Sequence, residues 1–296
     1  MVVIIHIMHP EKQYLNLIKN IISNGSITPS RNGNTVNTIG TMSKYSLENN
    51  TIPILTTKKV AWKTCLKELL WFVRGDTNNE LLRQQNVKIW NGNSTREFLD
   101  SRGLTNYDVN ELGPIYGYQW RNWSAPYLGK DVNHRDKGID QLSGIINSLK
   151  HPTERYSRRL ILSSWNVEQL DQMALPPCHV LSQYHVLDDD KLYCTLYQRS
   201  GDVGLGVPFN IASYAFLTHM IADVCNLKAT ELTHYIGNAH IYESHIEPLK
   251  QQIEREPYEF PKLQLNSKTS IDNFTVDDFK LINYNYHPTI KMNMIS

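Results

Sequence analysis

The sequence carries no excess of one charge: 30 Lys and Arg stand against 29 Asp and Glu, a formal net charge of +1 over 296 residues. Without a long-range field, neither nucleic acid nor an anionic membrane is expected as the main ligand, and any anionic small molecule has to be gripped by a few local arginines. Cysteine is scarce as well. Cys65, Cys178, Cys194 and Cys225 lie far apart with no CxxC pair, which speaks against a disulfide or zinc framework and for a reducing compartment. The apolar stretch that opens the sequence is too short to span a bilayer. The opening MVVIIHIMHPEK lacks a basic start and a small-residue cleavage site, so residues 1–11 are expected to form a frayed tail or short edge strand of a cytoplasmic protein. Repeats and low-complexity tracts are missing. Gly201, Gly204 and Gly206 follow neither GxGxxG nor a P-loop, and His234, His240 and His245 lack HExxH spacing. A nucleotide-binding glycine loop is thereby rejected, and no metal is expected.

What is present is an ordinary globular balance, 41% hydrophobic and 20% charged, with no linker dividing the chain. Apolar residues at 14, 17, 18, 21 and 22 predict a helix. Residues 24–40, rich in Gly, Asn, Ser and Thr, predict a mobile polar loop around Arg31. A second helix is predicted over about 60–74, and residues 91–112 look like a surface insertion. Strands are expected at 158–165, 179–186 and 191–200, the last two joined as a hairpin by LDDD. Pro208 opens a strongly apolar helix, 232–242 reads as a strand, and 245–256 as a surface helix. Helices and strands mix without a βαβ rhythm, so the predicted class is α+β.

Several residues stand out chemically. Glu68 has Cys65, Trp71 and Phe72 as helical neighbours; it is either a solvated edge residue or a carboxylate whose pKa rises toward neutrality through lost hydration. Cys178 follows two prolines at the mouth of a strand, and is either a small buried hydrophobe or a presented nucleophile. His179 points to the opposite face and is a poor base for it. Arg199, ending the partner strand, is the better activator, since a nearby cation favours thiolate. With Ser200 it also forms a credible phosphate grip. Arg158 and Arg159 offer two more cations, best reconciled as a pair at a strand's start. Asn210 is an amide inside an apolar helix, either a structural hydrogen bonder or a reader of a polar ring edge. His240 and Tyr242 alternate on one strand face, within reach of a sugar hydroxyl.

The segments LTTKKVAWKTCLKELLWFVRGDTN, LGPIYGYQWRNW, MALPPCHVLSQYHV, LYQRSGDVGLGVPFNIASYAFLTHMIA, GNAHIYESHIEPLK and YNYHPTIKMNM resemble the folate-dependent thymidylate synthase family, from about residue 12 to the end. The resemblance implies a catalytic domain over 12–296, built on a large twisted mixed sheet with flanking helices, with sheets stacked across a homodimer. It implies a methyltransferase that converts dUMP and 5,10-methylenetetrahydrofolate, a co-substrate, into dTMP and dihydrofolate, without a metal. Cys178 would attack carbon 6 of uracil, Glu68 would manage water and protons, and Tyr116 would assist proton removal at carbon 5. Arg31, Arg199 and Ser200 would hold the phosphate, with Arg158 and Arg159 reaching in from the partner subunit. Asn210 would read the pyrimidine and His240 and Tyr242 the ribose, with His179, Gln198 and Asp202 also at the nucleotide. Asp202 would bind the pterin, and Lys58, Ile89, Trp90, Asn93, Leu205, Gly206, Phe209 and Met294 would line the folate side. Three departures stand out: Ser30 replaces an acid before Arg31, Asn238 replaces an aspartate, and Ser244 replaces an asparagine. The alternatives are a pyrimidine nucleotide hydroxymethylase, against which Trp90 and Asn210 argue, and a low-activity or RNA-binding paralogue, against which the charge balance and Cys178 argue.

Overall fold

A computed structural model describes residues 8–30 and 32–294. Residues 1–7 of the expected tail over 1–11, and Arg31, the expected phosphate ligand, lie outside the described residues. Glu11, at the end of that tail, is fully buried. Its carboxylate accepts hydrogen bonds from the backbone N–H and hydroxyl groups of Thr56 and Thr57 at 2.6–2.8 Å. Packing therefore begins before residue 12.

Helix α1 (Lys12–Asn24) buries Tyr14, Leu15, Ile18 and Ile21, the stripe its spacing predicts. It leads into strands β1 (Ser26–Ser30) and β2 (Gly33–Ser46), an antiparallel hairpin in register from Ser26↔Asn37 to Ser30↔Gly33. The loop expected over 24–40 is thus a hairpin. Its polar composition hides the reason: β1 is exposed throughout, and β2 gains its order from an eleven-pair ladder to another strand rather than from apolar alternation. Helix α2 (Trp62–Arg74) matches the predicted stripe, burying Cys65, Leu66, Leu69, Leu70 and Val73. It stops at Gly75, whose φ of 76° is the left-handed helix stop that glycine favours. Two short helices follow, α3 (Glu80–Arg83) and α4 (Arg96–Ser101). The surface insertion expected over 91–112 is only partly superficial, because Asn93, Leu99, Leu104, Tyr107 and Leu112 turn inward. Helices α5 (Gly117–Asn122) and α6 (Gln141–Lys150) precede β3 (Ile161–Ser163). This strand is shorter than the predicted 158–165, and Arg158 and Arg159 sit in the turn before it.

Strands β4 (His179–Leu187) and β5 (Lys191–Asp202) form the predicted hairpin, turning through Asp188 and Asp189 at positive φ. Helix α7 (Gly206–Val224) then crosses to β6 (Lys228–Tyr242), which pairs parallel to β5. The sheet order is β1-β2-β6-β5-β4-β3, antiparallel except at this one crossover. α7 is buried almost all round, packed on β5 and β6 and against α2, as its apolar sequence requires. There follow α8 (Ile246–Ile253), within the helix expected over 245–256, and a small antiparallel pair of β7 (Lys262–Leu265) and β8 (Phe279–Ile282), which was not expected. The architecture is the expected α+β with a mixed sheet.

The two sheet faces differ. Leu192, Cys194, Leu196 and Gln198 point to the α7 side and are buried. On the other face, register aligns Leu181, Tyr197, Tyr235 and Met42 in a row across four strands. Tyr197, Tyr235 and Met42 remain 43%, 41% and 50% exposed.

Candidate active site

Helix α2 delivers Glu68 into the interior, where only 8% of it meets solvent. The solvated reading is excluded. Trp90 donates its indole N–H to Glu68 Oε1 at 2.8 Å. Burial raises the carboxyl to about 7, and the hydrogen bond from Trp90 opposes that rise without cancelling it.

Gly117 packs so closely on α2 that a Cβ there would lie 2.1 Å from Phe72 O. The approach throws the preceding residue into a rare conformation: Tyr116 has φ 27° and ψ −92°. Its ring lies 4.7 Å from that of Phe72, 6.0 Å from Trp90 and 5.2 Å from His179. Its hydroxyl accepts a hydrogen bond from the Cys178 backbone N–H at 2.8 Å.

Cys178 is thereby fixed from both sides. The Arg199 N–H donates to Cys178 O at 2.9 Å. The Arg199 guanidinium donates through Nε to Pro177 O at 2.8 Å and through Nη2 to Pro176 O at 3.0 Å, and stacks 5.5 Å from the Trp165 ring. The two prolines supply carbonyls as well as stiffness. Burial is the dominant influence and raises the thiol pKa, while Arg199 and Tyr116 pull it down without reversing the net direction. The cation is present, as expected, and acts in the expected direction, against a larger opposing effect of burial.

On the α7 side of the sheet a hydrogen-bonded row runs through Gln198. His234 Nε2 lies 2.8 Å from Gln198 Oε1, and Gln198 Nε2 donates to Ser200 O at 2.9 Å and Asn210 Oδ1 at 2.8 Å. His179 neighbours Asn210, and burial lowers its pKa to about 4 against a smaller opposing effect of the Asn210 hydrogen bond. It is a neutral ring there. Ser200 pairs with Asn238 across β5 and β6. The Asn238 carbonyl Oδ1 is buried without a hydrogen-bond partner among the described residues, which locates the effect of that departure.

The turn from β5 into α7 forms the site's other wall. Asp202 Oδ1 accepts from the Gly204 N–H at 2.9 Å, and Lys58 Nζ donates to Gly204 O at 2.5 Å. Burial lowers Lys58 to about 8, with Asp202 and Glu11 opposing. Leu205 and Gly206 start α7. Phe209 O accepts from the Cys65 thiol, and Ile89 and Phe209 pack at the edge of the core. His245 Nε2 lies 2.8 Å from Asn293 O, so the segment before Met294 is tied to this wall; Met294 itself is 55% exposed. His240 and Tyr242 share one face of β6 with perpendicular rings 5.5 Å apart.

Arg158 and Arg159 are not brought to Cys178 within the chain. They are exposed, and no hydrogen bond or ion pair holds either guanidinium among the described residues. Gln183 donates to Arg158 O, placing the pair alongside β4 five or more residues beyond Cys178, on the order of 17 Å along the strand. Sequence reasoning missed His234 and Trp165 as contributors. Their contacts join residues 36 and 34 apart in sequence, which no local spacing reveals. Among the described residues no group of three or more His, Cys, Asp or Glu is arranged to hold a metal, and no helix is long and apolar enough to cross a membrane. A surface cleft of about 570 Å³ around Tyr107 and Tyr127 includes none of these groups; the groups linked through Tyr116 and Gln198 are the better guide to chemistry.

A family model described as thymidylate synthase matches residues 12–296. The chain is 53% identical over 289 residues to a bifunctional dihydrofolate reductase-thymidylate synthase of Plasmodium berghei, covering 97% of this chain and 48% of that protein. It is 50% identical to a thymidylate synthase of Ascaris suum, covering 96% of each, and 49% identical to the human thymidylate synthase, covering 97% of this chain and 91% of the relative. The chain therefore spans about half the length of its bifunctional relative in Plasmodium and nearly all of the other two.

Proposed function

The chain belongs to the thymidylate synthase family, and on that premise we propose that it methylates dUMP reductively to dTMP, acting as a methyltransferase through a covalent bond from Cys178 to carbon 6 of uracil. The observation that carries this reading is the fixing of Cys178 by the Tyr116 hydroxyl and the Arg199 backbone, with the Tyr116 ring 6.0 Å from Trp90, whose indole holds a carboxyl near neutrality at Glu68. Attack requires thiolate. Arg199 is the cation that favours it, against the burial that raises the thiol. Bond formation at carbon 6 makes carbon 5 nucleophilic. Glu68, poised to gain or lose a proton near pH 7, serves proton transfer around the ring, and Tyr116 serves removal of the proton at carbon 5.

Arg199 and Ser200, with Arg31, hold the phosphate; Nη1 of Arg199 has no partner among the described residues and, with the second N–H of Nη2, is left to donate to it. Asn210 reads the base, with His179 and Gln198 behind it, and His240 with Tyr242 holds the ribose. The co-substrate 5,10-methylenetetrahydrofolate supplies the one-carbon unit and the hydride when bound. The residues fit it: Oδ2 of Asp202 has no hydrogen-bond partner among the described residues and can accept from N–H groups on a flat heterocycle. Lys58, Ile89, Trp90, Asn93, Leu205, Gly206, Phe209 and Met294 complete that side. The working unit is a homodimer with shared sites, in which Arg158 and Arg159 of a second copy reach the phosphate. The support is their unengaged guanidinium groups and the row of Leu181, Tyr197, Tyr235 and Met42 on the uncovered sheet face. A cytoplasmic setting suits four cysteines that are all free.

The test is product analysis with dUMP and methylenetetrahydrofolate. Thymidylate with stoichiometric dihydrofolate, followed by absorbance, is expected. A hydroxymethyl nucleotide with tetrahydrofolate, or no turnover, overturns the reading.

A further inference from the structure

The row His234–Gln198–Asn210 has a direction, and the direction can be derived. Ser200 O is a backbone carbonyl and can only accept. Gln198 therefore turns its NH₂ toward Ser200 and Asn210, leaving Oε1 toward His234. An acceptor facing His234 requires an N–H on Nε2. At the other end, Asn210 Oδ1 receives a Gln198 hydrogen, so its NH₂ turns away from Gln198. All three side chains lie against α7 or the buried face of the sheet; His234 and Gln198 are 2% exposed each.

We propose that His234 is a positioning residue for pyrimidine choice: its Nε2–H fixes the amide of Gln198, which fixes the donor and acceptor order that Asn210 presents to the base. This rests on the reading of Asn210 as the base reader. The donor arm of Asn210 then meets oxygen 4 of uracil, and the remaining lone pair of Oδ1 meets the N–H at nitrogen 3. Cytosine carries the opposite order at both atoms and is refused as long as the row cannot reverse. Reversal would set Gln198 Oε1 against Ser200 O, acceptor against acceptor. His234 does not touch the base, and neither local spacing nor a metal-ligand motif singles it out. Its ring is suited to a constant donor role, because burial, with a smaller effect of His179, lowers its pKa to about 3 and keeps it a single neutral form.

Two measurements test this. The first needs no ligand: nitrogen NMR of the His234 ring in the whole protein is expected to show Nε2 protonated and Nδ1 bare from pH 5 to 9. An Nδ1–H tautomer overturns the proposal whatever the enzyme's substrate. The second compares dUMP with dCMP by tritium release from carbon 5. In His234→Leu, which leaves Gln198 Oε1 buried without a donor, the preference for dUMP is expected to fall about tenfold. In His234→Gln, whose amide can again donate, the preference is expected to recover. A folded His234→Leu protein with the wild-type preference, or a His234→Gln protein no better than His234→Leu, overturns the proposal. A wild-type protein that releases no tritium from dUMP instead overturns the function proposed above, while the ring NMR still decides the direction of the row.

Discussion

A carboxyl stripped of water and left with one indole N–H ionises later than an exposed one, and Glu68 follows that rule. The sign of its effect on stability is fixed by its folded pKa of about 7 against an ordinary 4.5. A raised acid stabilises the folded state only while protonated, so its contribution is lost as pH rises from about 4.5 through 7, a loss of roughly 3 kcal/mol. Glu68→Gln is expected to remove this pH dependence from the urea midpoint, to abolish any inflection near pH 7 in kcat, and to lower kcat about 100-fold or more. Equal pH profiles for the two proteins would remove Glu68 from proton transfer. Cys178→Ser is expected to bind dUMP and turn over none of it, since nothing near position 178 can make an alkoxide; steady-state assay and equilibrium binding decide. Both residues were legible in the sequence, because a carboxylate amid rings and a thiol after two prolines are locally odd. The net effect on the thiol was not. Arg199 is visible as a charge, but the depth at which the sulfur sits depends on how β4, β5 and Tyr116 pack.

Among the elements, the contact of α5 with α2 carries the most precise demand. Gly117 has no room for a methyl group against Phe72 O, and the strained Tyr116 backbone depends on that approach. Gly117→Ala is expected to cost about 1–3 kcal/mol in urea unfolding and to lower kcat further than that loss explains, since the Tyr116 hydroxyl moves from the Cys178 N–H. Normal kcat in a destabilised variant would mean that the tyrosine is held some other way. Elements with an apolar stripe, such as α1, α2 and α7, were readable directly from spacing. The β1–β2 hairpin was not, because Thr, Asn and Ser at 26–38 signal a loop by composition while the order comes from the ladder between β2 and a strand some 200 residues later. The β7–β8 hairpin escaped for a similar reason, with each strand four residues long.

For the molecule as a whole, acid is the weak side. Burial lowers His179 and His219 to about 4 and His234 to about 3, whereas an unfolded histidine takes its proton near 6.5. Their stabilisation is complete above pH 6.5 and is lost as pH falls toward those values. His134 and His240 shift the same way; His245 and Glu68 oppose. At pH 5, three protons taken up and the one Glu68 releases leave a net uptake near two, or roughly 3 kcal/mol lost per pH unit. A urea midpoint that stays level between pH 6.5 and 5 would contradict this. The proposed sharing of sites belongs to the same scale. Cys178→Ala subunits mixed with Arg158→Ala/Arg159→Ala subunits, each inactive alone, are expected to regain activity on exchange; silence after proven exchange would end the claim.

The outward placement of Arg158 and Arg159 then has a kinetic consequence. A phosphate grip completed by another copy makes the enzyme's output a matter of concentration as well as amount. Well below the dissociation constant of the pair, initial velocity rises with the square of the chain concentration, so that halving expression removes more than half of the flux. A serial dilution assayed at saturating substrate would display it as specific activity that fades before any chain unfolds.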